Sequence, residues 1–376
     1  MRLSILRTLI KLIPFLALAM LPVLRAGIRP SFSLDSCAWR ATHIVLVETT
    51  PRDAVFVVKE SWKGDLKNVD TITVSQLKLE ADAVPIAKYP ERKPFDNADA
   101  DGLSGRIPRQ PVSSQMILFL RRRSGTDLHQ SSAEVIAERR WEPAGMSIKT
   151  SVLWLDAQQA FCFLQWMNPG PSSLGPCIQG TVPVTLPWAK ARIAHILKIK
   201  DDLASALRLE DPVSRVELIK GIAYGDSYNG YLEALEGLGK SGSAAVPALL
   251  QIMNQPPYLH DHREMVKALK NAAGQNAGSV LNDRLKEDLS YWKVKGPGLS
   301  KDWWNQDVTP TAPLRMKYSE TIEIIRGLRS VHYVPAQETA AQLRDLWLSY
   351  PQLNDPSGLD QLAKESDQLV RALQSR

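Results

Sequence analysis

Three short stretches carry residue types that hold phosphates or metal ions, and their spacing decides what each can do. "GLGKSG", residues 237–242, has the Gly-Lys-Ser of a phosphate loop. Such a loop needs another glycine five residues ahead of its Gly-Lys, where Ala234 stands, and a strand leading into it, where this segment reads as helix. A turn between two helices is the better account. "NADADG", 97–102, offers Asn97, Asp99 and Asp101 with Gly102 in the order of a calcium loop. The bidentate glutamate that should close that loop falls at Pro108, which leaves ordinary loop composition. "LHDHRE", 259–264, brings His260 and His262 beside Asp261 and Glu264. Helical residues two apart point in different directions, so the histidines form no metal pair. Asp261 as N-cap with Glu264 in the first turn is the expected role. No metal or other cofactor follows from these stretches.

Covalent chemistry has no clearer carrier. There is no Gly-x-Ser-x-Gly elbow and no cysteine with a neighbouring histidine motif. His43, His129, His195 and His332 are scattered singly. A hydrolase would need acidic groups and His260 or His262 to converge in one cleft. Trp292, Trp303 and Trp304 flank "KGPGLSKD" and are possible interaction aromatics. Exposed, they would anchor a sugar or a peptide. Buried, they would plug a helical stack, and burial is the usual fate of such rings.

The elements that must position these residues begin after an export signal. Arg2 and Arg7 precede "LIKLIPFLALAMLPVL", with small residues at Ala17, Ala19 and Ala26, so 1–26 reads as a signal peptide, with an uncleaved anchor as the alternative. No later stretch is apolar enough to span a membrane once the signal is cleaved. Residues 1–26 hold four bases (Arg2, Arg7, Lys11, Arg25) and no acid, so +2 of the net +6 remains beyond them. Near balance gives no electrostatic case for nucleic acid. "RRR" at 121–123 reads as a solvated strand end. Export permits disulfides, and Cys162 and Cys177 are the candidate pair, because the turn-forming "NPGPSSLGP" lies between them. That pairing leaves Cys37 over; a bond from Cys37 to either is the competing layout.

At 376 residues, with 44% apolar and 23% charged residues, two globular domains are expected. From 38 to about 185 the periodicity is that of strands: "THIVLVE", "AVFVVKE", "TITVSQL", "QMILFLR", "SVLWLD" and "AFCFLQW". The last two read as a hairpin around Asp156–Gln159, and 80–114, rich in Pro, Asp and Lys, reads as a loop insertion. From Pro187 the period becomes 3.6, with Ile193, Ile196, Leu197, Leu203, Ala204 and Leu207 on one face. Asp211-Pro212 then supplies an N-cap and a first-turn proline.

Two resemblances emerge. Cys37 before "ATHIVLVE", then "AVFVVKESWKGDL" with its Lys63-Gly64 turn, is similar to the start of the netrin-module and tissue-metalloproteinase-inhibitor superfamily. The resemblance implies an OB-like barrel. Those inhibitors bind a catalytic zinc through an amino-terminal cysteine, and here the plausible cleavage sites lie 10 or more residues before Cys37. "YLEALEGLGKSGSAAVPALLQIM", 231–253, resembles a HEAT-type repeat. In a second copy 34 residues on, Val266, Ala268, Leu269 and Val280 match Leu232, Ala234, Leu235 and Val246, while Asp283 and Arg284 oppose Leu249 and Leu250. A third, at 319–350, keeps the helix–turn–helix outline.

The expected architecture is α+β: an OB-like β-domain at 35–185 and a HEAT-like α-helical solenoid segment at 186–376. The expected function is that of an exported protein, periplasmic or extracellular and of a bacterial envelope, non-catalytic, binding a protein or cell-envelope component. The alternatives are a protease-inhibitor-like protein and a secreted hydrolase.

Overall fold

The computed structural model describes residues 33–52, 54–74, 115–122, 141–145, 151–156, 159–162, 184–258, 261–299, 303, 312–350 and 361–375. The chain divides into two compact units between Leu197 and Lys198.

The first unit opens on a short helix, α1 (Leu34–Arg40), where the sequence reading places a cysteine leading straight into a strand. The Ser33 side chain accepts the Ser36 N–H at 3.2 Å, Asp35 sits in the first turn and Arg40 in the last. Cap and charges thus agree with the helix dipole at both ends. Among the described residues eight strands follow: β1 (His43–Thr49), β2 (Val55–Lys63), β3 (Thr71–Thr73), β4 (Gln115–Arg122), β5 (Trp141–Pro143), β6 (Val152–Asp156), β7 (Gln159–Cys162) and β8 (Val184–Thr185). They form one antiparallel sheet curled into a half-barrel, in the order β3-β2-β1-β4-β6-β7-β8, with β5 added to β4. All six expected strands are present at least in part, and Asp156 pairs with Gln159 at the hairpin end. The expected loop at 80–114 lies outside the described residues.

β1 and β4 are buried on both faces, which explains their unbroken apolar runs. Val45, Val47, Met116 and Leu118 join Phe56, Val58 and Val152 in one core. Ile44 opposite Phe119, and Leu46 opposite Ile117, line the other face, and α1 packs on β4.

Helix α2 (Leu186–Leu207) crosses the division between the units. Ala189, Ile193, Ile196, Leu203 and Ala206 are its buried positions, whereas Ala204 and Leu207, expected on that face, are exposed. The second unit continues with α3 (Pro212–Ala223), α4 (Tyr228–Lys240), α5 (Val246–Asn254), α6 (His262–Ala273), α7 (Ala277–Lys295), α8 (Ala312–Val331), α9 (Gln337–Leu348) and α10 (Gln361–Gln374). As expected, Asp211 caps α3, accepting from the Ser214 N–H at 2.8 Å, with Pro212 in the first turn. Packing follows chain order: α3 on α4, α4 on α6, α6 on α8 and α8 on α10, with α7 on α9.

Three helix pairs share one turn design. Gly242, Gly274 and His332 have φ of 72°, 55° and 51°; the two glycines open a 3-10 turn, and His332 stands two residues before one. Ala245, Ala277 and Ala336 follow, all buried, and four residues later come buried Leu249, Leu281 and Ala340. The second helix of the second pair is therefore displaced by 32 residues from the first, not by 34, so Leu281 rather than Asp283 corresponds to Leu249. Left-handed backbone suits glycine and strains histidine. His332→Gly is expected to raise stability by up to about 1 kcal/mol, read as a higher melting temperature.

Candidate functional site

A polar cluster of the first unit gathers residues distant in sequence. The His43 ring projects from the start of β1; its Nδ1 lies 2.9 Å from Thr42 Oγ1 and its Nε2 2.7 Å from Asp65 Oδ1. Arg122, at the end of β4, donates from Nη1 to Asp65 Oδ2 at 3.0 Å, and its guanidinium lies 5.5 Å from the centre of the Trp141 ring. Trp141 in turn meets the His43 ring edge-on at 4.7 Å. Gly64, at φ 97°, closes the remaining side: a Cβ there would lie 2.2 Å from His43 Cδ2.

The cluster is built like a lock. Hydroxyl, imidazole and carboxylate follow one another as they do in a nucleophile–base–acid triad. Yet Thr42 Oγ1 accepts the Arg122 N–H at 2.9 Å and lies 3.3 Å from the Leu120 carbonyl, tying it into the β1–β4 pairing. Backbone covers one face of the imidazole, and both ring nitrogens are engaged. The hydrogen bond from His43, with that from Arg122, holds the Asp65 carboxyl down at about 2. The turn after β2 therefore stays pinned through mildly acidic conditions. Gly64→Ala is expected to destabilise by about 1–3 kcal/mol, through positive φ and the clash with His43, read as a lower urea midpoint.

"RRR" is a paired strand end: besides the Arg122 contact, Arg121 lies 3.3 Å from Glu142, while Arg123 is outside the described residues. Cys37 is buried in the middle of α1, its N–H donates to the Ser33 carbonyl, and burial pushes its thiol up to about 12. An amino terminus at Cys37 would remove the Ser33 cap and Asp35. The Cys162 side chain and all of Cys177 lie outside the described residues, as do Trp304, His260 and the 97–102 stretch.

Asp35 is fully buried and receives the Arg192 guanidinium in a two-point contact, Nε to Oδ1 at 3.0 Å and Nη2 to Oδ2 at 2.6 Å. That pair ties α1 to α2 within the first unit. Lys190 of α2 reaches Glu60 of β2 at 2.7 Å.

In the second unit Trp292 and Trp303 are buried, so neither ring is presented as an exposed anchor. Trp292 meets Trp347 edge-on at 5.1 Å, and Trp303 meets Tyr318 at 5.9 Å. Beside this aromatic core lies a buried ion cluster. Asp288 accepts the Thr321 hydroxyl at 2.7 Å and contacts the Lys317 ammonium. Glu320 lies 2.7 Å from Arg284 and 3.1 Å from Lys317. Burial, opposed by Lys317 and aided by Glu320, raises the Asp288 carboxyl to about 6.

Two smaller expectations change. Asp261 precedes α6 but makes no side-chain cap; its carboxylate accepts the Tyr228 hydroxyl at 2.9 Å, and His262 is buried. Gly237 and Gly239 lie inside α4 rather than in a turn. Gly237 makes room for Leu207 and Ile219, and Gly239 for the backbone of Ala268, so both serve close helix packing. Among the described residues, no group of three or more His, Cys, Asp and Glu could hold a metal ion, and no helix is long and apolar enough to cross a membrane. No protein-family model matches the chain, and no curated protein or solved structure matches it.

Proposed function

We propose that this chain is an exported, non-catalytic binding or scaffold protein, in which an OB-like barrel of the netrin-module type precedes a HEAT-like solenoid segment. The observation that carries the non-catalytic reading is the state of Thr42, whose hydroxyl lies beside His43 Nδ1: its Oγ1 accepts the Arg122 N–H at 2.9 Å and lies 3.3 Å from the Leu120 carbonyl, within the β1–β4 pairing. A nucleophile must be free to reach a substrate atom. The barrel reading is supported by the sheet order, since β1–β2–β3 with β4 returning beside β1 is a Greek key, the connection on which OB barrels are built. The solenoid reading is supported by the three like turns and by the chain-order stacking of α4, α6, α8 and α10.

The test is a panel of chromogenic ester, amide, phosphate and glycoside substrates presented to the purified protein. No turnover above blank is expected. Turnover of any of them that disappears in Asp65→Asn, a change at an exposed side chain, would overturn the reading.

A further inference from the structure

We infer that the Thr321 hydroxyl is a proton-operated hydrogen-bond switch at the joint between α7 and α8. It donates to Asp288 while that carboxylate is ionised, and it turns to the Lys317 carbonyl when Asp288 takes up a proton.

Thr321 is fully buried, and its Oγ1 has three polar neighbours. The Trp292 ring N–H donates to it at 3.1 Å, Asp288 Oδ2 lies at 2.7 Å and the Lys317 carbonyl at 2.8 Å. While Asp288 is ionised the last two are both acceptors, and a hydroxyl has one proton to give. The bond to the charged acceptor is the stronger, so the proton points at Asp288. The Lys317 carbonyl then keeps only the helix's own bond. A proton on Oδ2 reverses the order. Asp288 becomes a donor to Oγ1, and Thr321 gives its own proton to the Lys317 carbonyl. Both lone pairs of Oγ1 are then used, one by the Trp292 N–H and one by Asp288. Every group has a partner in either state, as a two-state element requires.

The charges allow it. Asp288 faces Arg284 at 4.0 Å and Tyr291 on its own helix, and Lys317 and Glu320 on α8. The helices α6 and α9 also pack on α7, but among the described residues neither brings an ionisable group into an ion pair with Asp288. When Asp288 is neutral, Lys317 keeps Glu320 at 3.1 Å, and Arg284 keeps Glu320 and Glu287, each at 2.7 Å. The proton therefore leaves no buried charge without a partner. Trp292, edge-on to Trp347 of α9 and to Tyr318 of α8, carries the reporting N–H.

The test follows the ten tryptophan indole N–H resonances of the 15N-labelled full chain between about pH 8 and about pH 5, around the Asp288 value of about 6. One resonance is expected to move with a one-proton profile centred near that value, and Asp288→Asn should abolish the movement. Thr321→Val, nearly the same shape without the hydroxyl, should remove most of it, and Thr321→Ser should restore it. The two Thr321 variants leave every charge in place, so they decide the matter even where Asp288→Asn fails to fold. Absence of any resonance that titrates in this way, or a movement that Thr321→Val leaves unchanged, would overturn the inference.

Discussion

Arg192→Ala is expected to destabilise the first unit by about 3–5 kcal/mol, the typical cost of removing one partner from a buried ion pair. The reason lies with the group left behind. Asp35 has no exposure, and its carboxylate faces the guanidinium with both oxygens. Without Arg192 it must stay ionised in a low-dielectric site or take up a proton, and both are costly. The double replacement Asp35→Leu with Arg192→Met is expected to regain much of the loss, because it removes the uncompensated charge as well as the bond. Urea unfolding of the three variants, followed by far-UV circular dichroism, measures this. A loss below about 1 kcal/mol in Arg192→Ala would mean that the pair behaves like a solvated surface bridge.

The second large effect is expected at Lys317. Its ammonium contacts the buried Asp288 carboxylate, lies 3.1 Å from Glu320 and sits 5.9 Å from the centre of the Tyr291 ring. Lys317→Ala leaves two buried acids facing Arg284 alone within this cluster and is expected to cost about 3 kcal/mol at pH 8. The pH dependence carries a definite sign. The Asp288 carboxyl rises from 3.8 to about 6 on folding, so the folded state holds that proton more tightly. Through this group, stability falls as pH rises across that window and recovers on acidification. In Lys317→Ala the carboxyl loses the cation that restrains its rise, so the window should extend upward and the loss at pH 8 should shrink as the pH is lowered toward 5. Asp288→Asn should abolish this component. A Lys317→Ala deficit independent of pH would show that Asp288 does not feel the lysine.

The strands and helices were legible because their periods are local. "THIVLVE" and "QMILFLR" announce buried strands through composition alone, and Asp211-Pro212 announces a helix start. Three things were not legible. Helix α1 is too short for a periodic signal, and its cysteine invited a strand reading. The comparison of the first two helix pairs applied one shift of 34 to both helices, whereas the turn of the second pair is two residues shorter, so Ala277 stands 32 residues after Ala245. The His43 cluster was invisible because its members stand at 42, 43, 64, 65, 122 and 141, brought together only by strand register. Gly64 after Lys63 was the one available signal, read as a turn but not as a seat for a ring.

The Asp35–Arg192 pair also bears on the order in which the chain acquires structure. His43 pairs with Leu120, and Asp35 meets Arg192, 157 residues away in sequence. In the second unit the helix at 262–273 packs on its neighbour in sequence at 277–295, and the helix at 337–348 on that at 361–374. Distant pairings fold slowly and local ones quickly. Although the sheet is made first on the ribosome, and β1–β2 and β6–β7 are local hairpins, β1 must wait for β4 and Asp35 for Arg192 before the first unit is complete. The amino-terminal unit is thus the one that most needs protection while the chain is young.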